Sequence, residues 1–371
     1  MTSLVLPAAV LSRARRAADA FRALTGVSVD AAELLSGRAA LLGLSPEGRV
    51  SAGGATRLMR SSDGWCALTL SRQDDIDAVP ALVESGAVED DPWPAVQRWV
   101  ADNASADVTT RARLLGLPVA ALGETRAAPP RVHRLGAATS PRGLSGLLVA
   151  DLAAMWAGPL CGKLLAQAGA TVVKAESPNR PDGTRAGPAA FFDWMNSGKL
   201  SYTVDFVERS GLRRLLEVAD VVIESSRPAA LARRGLGPTD IVWRDGQVWI
   251  RITGHGADGE RANWVAFGDD AAVSGGLVGG TGSEPVFNGD AIADPLTGLH
   301  AALGVAESLS RGGGKLIELS MAAVAATYAA DDLTPETRCA ATPAPCPPAE
   351  ELGADNAVVE RLLAERRVAA C

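Results

Sequence analysis

Residues 146–176 read GLLVADLAAMWAGPLCGKLLAQAGATVVKAE, with two apolar runs on either side of a helical segment. The runs at 147–150 and 171–175 have the length and apolar content of buried strands, and 158–168 has the spacing of a helix. The alternation continues downstream, with a predicted helix at 207–219 and predicted strands at 221–224, 247–252 and 315–319. Strands that alternate with helices predict an α/β fold, with a mostly parallel, Rossmann-like sheet flanked by helices.

A different pattern precedes this region. Residues 8–43 carry alanine, leucine and arginine at helical spacing, and two short runs flank Asp63-Gly64, which is typical of a β-hairpin. Prolines among small and polar residues then indicate a connecting segment. We therefore predict a small α+β domain with N-terminal helices over 1–126, a linker over 127–145, and a large Rossmann-like domain over 146–371.

The composition of the chain argues against several classes of binding partner. Hydrophobic residues make up 47% of the chain, charged residues 21%, and the net charge is -7, as in an ordinary globular protein. The acidic balance and the lack of a basic run argue against a nucleic-acid partner. No apolar stretch in the sequence has membrane-spanning length, so we expect a cytoplasmic protein that does not bind a membrane. Five scattered cysteines and three histidines argue against a metal site.

Asp294 follows a glycine-rich stretch and precedes Pro295 and a long apolar helical segment. This position predicts a carboxylate at a helix N-terminus, where unpaired amides and the helix dipole favour an anion. Two roles are consistent with that position. Asp294 either caps the helix or acts as a nucleophile whose neighbouring backbone donors stabilise charge on an attacked carbonyl. The local sequence by itself favours the cap.

Several basic or glycine-containing turns follow predicted strands. They include the Gly158-Pro159 turn, the loop carrying Arg185 and the segment with Arg233, and Lys199 lies in a polar turn that precedes another strand. Taken alone, the Gly158-Pro159 turn is as consistent with helix–strand packing, and the Arg185 loop is better explained as a solvated surface loop. Because ligands bind outside the carboxyl ends of parallel strands, these turns together predict a pocket for nucleotide phosphates. A G-x-G-x-x-G sequence does occur at 254–259, but no clear apolar helix follows it, which argues against a dinucleotide site.

These segments, in this order, resemble the class III CoA-transferases, the family that includes formyl-CoA transferase, carnitine CoA-transferase and α-methylacyl-CoA racemase. The similarity is continuous over about 146–325. It rests on the segments 149–159, 164–176, 196–199, 219–228, 233–236, 252–256 and 293–298. With several ordered motifs present, the nucleophile becomes the leading interpretation of Asp294.

The resemblance implies that Asp294 attacks an acyl-CoA thioester and forms an acyl-aspartyl anhydride, then an aspartyl-CoA thioester that a carboxylic acid acceptor resolves. The large domain would bind CoA as a substrate, with no further cofactor. By the same resemblance, Arg185 and Arg233 contact the CoA phosphates, Lys199 lies near the nucleotide, and Gly158 and Pro159 let the backbone approach the ligand.

The resemblance also implies a homodimer, which in the family is interlocked. In the family the small domain comes late in the chain, whereas the part that resembles it here, 53–124, comes first. A rearranged order of domains is therefore expected, and whether two such chains interlock is open.

Two alternative functions also remain at this point. A racemase would need a second base, but Ala266 aligns with the family's histidine and His255 lies too early. A non-catalytic CoA-binding protein is the other.

Overall fold

The computed structural model describes residues 4–86, 89–206, 208, 210–334 and 336–370. The strands of these segments are β1 (Leu4–Pro7), β2 (Thr56–Arg60), β3 (Trp65–Thr69), β4 (Val119–Ala121), β5 (Arg131–Arg134), β6 (Leu148–Asp151), β7 (Thr171–Glu176), β8 (Leu200–Thr203), β9 (Val221–Glu224), β10 (Val248–Thr253), β11 (Val278–Thr281), β12 (Glu284–Phe287), β13 (Lys315–Ser320) and β14 (Glu336–Cys339).

The α-helices of the same segments are α1 (Ala8–Thr25), α2 (Ala31–Leu42), α3 (Gln73–Asp77), α4 (Val79–Leu82), α5 (Trp93–Asp102), α6 (Ser105–Leu114), α7 (Ala157–Gln167), α8 (Ala189–Asn196), α9 (Ser210–Val218), α10 (Ala229–Ala232), α11 (Gly268–Ser274), α12 (Ala293–Leu309), α13 (Met321–Ala329) and α14 (Asn356–Ala370). Residues 207 and 209 of the helix predicted at 207–219 lie outside the described residues. No helix among the described segments combines the length and apolar character that crossing a membrane requires.

A seven-stranded sheet in the order β5-β13-β10-β9-β6-β7-β8 forms the centre of the large unit. Strands β6 to β10 and β13 run parallel to their neighbours, and β5 pairs antiparallel with β13 at one edge. The predicted α/β fold with a mostly parallel sheet is therefore confirmed. The chain moves from β6 through β7 to β8, then returns to β9 on the other side of β6 and continues to β10 and β13. Strand order thus reverses beside β6, which is where open α/β sheets bind ligands.

The two faces of the sheet are both covered, because successive side chains in a strand point to opposite faces. One core contains Val149 and Ile250 with residues of α1, α7, α12 and α13. The other contains Leu148 and Trp249 with residues of α9 and α14. Strands buried on both faces are continuously apolar in sequence, and this explains why their positions could be predicted.

The edge strand β5 lies inside the segment predicted as a linker, 127–145. Its sequence, Arg-Val-His-Arg, is largely exposed and follows two prolines, so it lacks the apolar pattern that identifies a strand. Its pairing with β13 supplies the hydrogen bonds that make it a strand.

The N-terminal helices pack against the helices that cover one face of the large sheet. Residues of α1 and α2 share one core with α7 and α12, and β1 pairs with β14 from the opposite end of the chain. The antiparallel sheet β2-β3-β4 and helices α4, α5 and α6 surround a separate small core. The predicted hairpin at Asp63-Gly64 is confirmed by β2 and β3. The predicted domain boundaries at 126 and 145 remain predictions.

Helices α7 and α12 cross at short range where Gly298 meets the start of α7. A Cβ atom added to Gly298 would lie 2.6 Å from the carbonyl oxygen of Ala157 and 3.0 Å from Leu160 Cβ. Such distances are below normal contact, so no side chain fits without a shift of backbone. The absence of a side chain at Gly298 therefore sets the distance between the two helices.

We predict that Gly298→Ala pushes α7 and α12 apart and lowers the free energy of unfolding by about 1–3 kcal/mol, the usual cost of overpacking. Thermal unfolding followed by circular dichroism measures the change. Gly304→Ala in the same helix is the matched control, because its added Cβ would have only ordinary contacts at 3.9 Å. Equal stability of the two variants would contradict this account of the helix crossing.

Candidate active site

Asp294 is the second residue of α12, and the predicted position at a helix N-terminus is confirmed. The side chain of the N-cap residue, Ile292, makes no capping hydrogen bond. The Asp294 carboxylate instead accepts a hydrogen bond from the backbone amide of Ala157, the first residue of α7. The first amides of a helix have no partner within that helix, so the α7 N-terminus presents donors to this carboxylate. Asp294 remains partly exposed.

The turn that leads into α12 has an unusual backbone. Ala291 has φ 42°, a left-handed conformation that a residue with a side chain rarely adopts. Its amide donates to Asp269 Oδ1 at 3.0 Å, and its carbonyl accepts from the Asp294 amide at 2.9 Å. Strained conformations of this kind persist where surrounding contacts enforce them. Here those contacts fix the backbone that carries Asp294.

Gly268, at the start of α11, lies directly against the Asp294 carboxylate. A Cβ atom at this position would lie 2.4 Å from Asp294 Oδ2 and 2.3 Å from the Ala291 carbonyl oxygen. A side chain at position 268 would displace the carboxylate, so the glycine leaves room for it. The sequence contained this glycine, but no local pattern indicated its partner.

Three carboxylates and one guanidinium determine the charge state of the site. The pKa of Asp294 is raised to about 7, mainly by burial and to a smaller extent by Asp269 and Asp290. The Arg38 guanidinium and the Ala157 amide partly oppose this rise by lowering the pKa. Burial also raises the pKa of Asp269 to about 6 and raises that of Asp290. A pKa near 7 leaves a substantial fraction of Asp294 ionised at neutral pH, which is the form that a carboxylate nucleophile would need.

Gly158 and Pro159, which are predicted to face CoA, lie in the first turn of α7, and both are buried. A Cβ atom on Gly158 would lie 2.1 Å from Ala153 Cβ, so this glycine is required by the packing of the turn between β6 and α7. The Pro159 carbonyl accepts a hydrogen bond from Lys199 Nζ at 2.8 Å.

The Lys199 ammonium is buried between protein acceptors. Besides the Pro159 carbonyl, it donates to Asp151 Oδ2 at 2.8 Å and to Asn196 Oδ1 at 3.0 Å. An ammonium has three donors, and these three acceptors account for all of them. Lys199 therefore joins the end of β6 to the first turn of α7.

The two predicted arginines have different surroundings. Arg185 forms a two-pronged ion pair with Glu176, with Nη2 at 2.7 Å from Oε2, and its guanidinium lies 4.2 Å from the ring of Phe192. Arg233 ends α10, shortly after β9, and is exposed. Both lie on segments that follow the carboxyl ends of sheet strands, but only Arg233 presents an exposed guanidinium at that edge.

A buried ion pair that sequence reasoning missed lies at the same edge. Lys174, within β7, donates from Nζ to Asp182 Oδ2 at 2.8 Å and to the Ala153 carbonyl at 3.0 Å. Asp182 in turn accepts from the Met155 amide, in the turn between β6 and α7. A lysine inside an apolar strand was the signal that could have revealed this pair, because a buried charge requires a partner.

His255 lies away from the carboxylate cluster. Its ring is buried, its Nδ1 lies 3.5 Å from Ser274 Oγ, and burial lowers its pKa to about 3. It lines a cavity of about 520 Å³ beyond the carboxyl ends of β10 and β13, together with Thr253 and Ser320. Within the described residues, no group of three or more histidine, cysteine, aspartate or glutamate side chains has an arrangement that could hold a metal ion.

Arg38, Asp269 and Asp290 are the charged residues near Asp294 that sequence reasoning missed. Arg38 belongs to an N-terminal helix more than two hundred residues away in sequence, and no local pattern connects it with Asp294. Asp269 and Asp270 lie in the first turn of α11, where acidic residues are common, so their sequence gives no sign of a site.

We predict that Asp294→Asn stabilises the protein more at pH 8 than at pH 5. The folded-state pKa of about 7 lies above the ordinary value of 3.8, so the native state binds more protons than the unfolded state between these values. Wild-type stability therefore falls as pH rises toward 8, and asparagine removes that dependence. We expect a gain of about 2–5 °C in Tm at pH 8.

Differential scanning calorimetry at both pH values measures this effect. Asp102→Asn is the control, because Asp102 is exposed. A Tm gain for Asp294→Asn that is the same at pH 5 and pH 8 would contradict the raised pKa.

The chain is similar to proteins of known sequence and of known structure. A Brucella suis CaiB/BaiF family protein of known structure is 32% identical, with a TM-score of 0.46 over 51% of this chain and 55% of that one. The succinate–glutarate CoA-transferase of Agrobacterium fabrum is 34% identical over 45% of this chain and 46% of its own length. The succinyl-CoA–D-citramalate CoA-transferase of Chloroflexus aurantiacus is 32% identical over 49% of this chain and 50% of its own length.

The chain thus spans about half the length of the curated relatives it matches. The model of CoA-transferase family III matches residues 144–356, which contain the central parallel strands, α7 and Asp294. Since that match covers more than half of the sequence, the chain belongs to CoA-transferase family III.

Proposed function

We propose that this protein transfers CoA from an acyl-CoA donor to a carboxylic acid acceptor, with Asp294 as the nucleophile. The observation that carries the proposal is the position of the Asp294 carboxylate, which is partly exposed and lies at the N-terminus of a second helix. That position supplies backbone donors for the charge that develops on an attacked thioester carbonyl. Asp294 accepts a hydrogen bond across to α7, and this favours a role beyond capping its own helix.

The proposed chemistry needs only acyl exchange. An Asp294 oxygen attacks the thioester carbonyl, the carbon–sulfur bond breaks, and CoA leaves as a thiolate. The thiolate attacks the Asp294 carbonyl of the anhydride, which releases the donor acid and leaves an aspartyl-CoA thioester. The acceptor carboxylate then attacks that thioester, giving a second anhydride and a thiolate. Attack of the thiolate on the acceptor's acyl carbon yields the new CoA ester and restores Asp294.

We place the CoA phosphates at the carboxyl edge of β6 to β9, beside the reversal of strand order. Arg233 supports this placement because it is exposed there. Arg185 is less available for a phosphate, because Glu176, Ser201 Oγ and the Glu350 carbonyl already accept hydrogen bonds from its guanidinium. Gly158, Pro159 and Lys199 would shape the turn under the ligand, and Lys199 would do so through its buried contacts rather than by binding phosphate.

The named relatives support a substrate class. Two of them are CoA-transferases whose names include succinate or succinyl-CoA, together with glutarate or D-citramalate. Succinyl-CoA is therefore the donor we propose to test first, with glutarate as acceptor. A cytoplasmic homodimer and an order of domains rearranged relative to the family complete the proposal.

Racemase chemistry is less well supported. It needs bases on opposite faces of the carbon beside the thioester. His255 is a weak base, because burial lowers its pKa to about 3, and its ring packs against Trp264. Ala266, at the position of the family's histidine, packs against Gly254.

We predict that succinyl-CoA forms a covalent adduct on the peptide that contains Asp294 and that Asp294→Asn abolishes it. Mass spectrometry of the digested protein detects the adduct, and added glutarate should remove it while forming glutaryl-CoA. Asp102→Asn, an exposed carboxylate on α5, is the control and should leave adduct formation unchanged.

Other outcomes separate the alternatives. Exchange of the α-proton with deuterated solvent and no adduct would indicate a racemase. Binding of CoA with neither adduct nor exchange would indicate a non-catalytic CoA-binding protein, in which Asp294 has no chemical role.

We predict that Arg233→Ala weakens CoA binding about tenfold, the loss expected for one charged hydrogen bond of about 1.4 kcal/mol. Isothermal titration calorimetry with CoA measures the affinity. Arg15→Ala, at an exposed position on α1, is the control and should bind CoA like the wild type. An unchanged Kd for Arg233→Ala would remove this residue from the proposed phosphate site.

A further inference from the structure

Arg38 lies in α2, outside the residues 144–356 that the family model matches. Its guanidinium nevertheless reaches the active-site turn. Nε donates to Asp290 Oδ2 at 2.9 Å and Nη2 donates to Oδ1 at 2.8 Å. Asp290 is fully buried, so this two-pronged pair neutralises a carboxylate that has no access to water.

Aromatic rings and a glycine turn fix the Arg38 guanidinium from other sides. It lies 5.1 Å from the ring of Trp156 and 5.6 Å from that of Phe191, distances typical of cation–π contacts. A Cβ atom on Gly53 would lie 3.1 Å from Arg38 Nη2. Trp156 immediately precedes Ala157, whose amide bonds Asp294. The guanidinium thus contacts the segments on both sides of the candidate nucleophile.

The position of Arg38 affects the ionisation of Asp294, because other charged groups surround that carboxylate. Asp269, on α11, and Asp290, on the turn before α12, oppose its ionisation, while Arg38 and the Ala157 amide of α7 favour it. Asp290 is also the first residue of the turn that contains the strained residue Ala291. The carbonyl of Ala291 accepts a hydrogen bond from the Asp294 amide. Contact with Asp290 therefore links Arg38 to the backbone geometry of Asp294 as well as to its charge.

We propose that Arg38 is a positioning residue for the reaction. It holds the turn before Asp294 through Asp290 and supplies the positive charge that opposes the two neighbouring carboxylates. This inference rests on the proposed function of Asp294. It means that the N-terminal segment completes an active site whose other residues lie within the family match.

The test compares variants that separate charge from packing. Arg38→Met removes the guanidinium but leaves Asp290 buried without a partner, and this variant can fail to fold. Arg38→Met combined with Asp290→Asn removes both charges together and keeps a buried polar partner. Arg38→Lys keeps a positive charge but loses the two-pronged geometry. Arg22→Met, at an exposed position on α1, is the matched control.

The main readout is the pH dependence of adduct formation from succinyl-CoA. Of the two deleted charges, Arg38 has the larger effect on Asp294, so the double variant should have a higher pH midpoint than the wild type. A rise of about one pH unit would lower the rate at pH 7 about fivefold. Arg38→Lys should restore most of the midpoint but not the full rate. A folded double variant with an unchanged midpoint and rate would overturn the proposal.

A second readout does not need activity. The Asp294→Asn substitution should change stability over a pH range that reports the titration of Asp294, and that range should move upward in the double-variant background. If the wild type forms no adduct but this shift occurs, the proposed function fails and with it the role of Arg38 in a reaction, while the effect of Arg38 on the ionisation of Asp294 stands. If adducts form but neither readout responds to Arg38, only this inference fails.

Discussion

The close crossing of α7 and α12 is the constraint on which the site depends. Gly298 has no room for a side chain against the Ala157 carbonyl, so α12 approaches α7 at backbone distance. As a result, the carboxylate at the start of α12 reaches an unpaired amide at the start of α7. A wider crossing would leave Asp294 as an ordinary residue in the first turn of its own helix.

Around this crossing, separate contacts keep the carboxylate in a narrow range of positions. Gly268 leaves space for one oxygen, and the strained backbone at Ala291 is held by Asp269. Burial raises the pKa of Asp294 to about 7, which is costly for an ionised group but is consistent with the acyl carrier that we propose. Stability and reactivity therefore depend on the same desolvated environment.

Buried lysines organise the carboxyl edge of the sheet from within. Lys174 and Lys199 each bond a carboxylate and a backbone carbonyl, and together they join the ends of β6, β7 and the turn before β8 to the start of α7. Lys199 has a protein acceptor for each of its three donors, so the phosphate site that we propose depends on the exposed arginines of the same edge, such as Arg233. In that proposal the buried lysines hold this edge together and the exposed arginines bind the ligand.

The sequence alone determined the parallel sheet, the position of Asp294 at a helix start and the family resemblance, because buried strands and helix starts have local residue patterns. The strand β5 was not predictable, since its exposed residues become a strand only by pairing with β13. The contacts of Arg38 and Gly268 with the site and the buried role of Lys199 were not predictable either. Each depends on which distant segment lies opposite, and tertiary packing alone decides that.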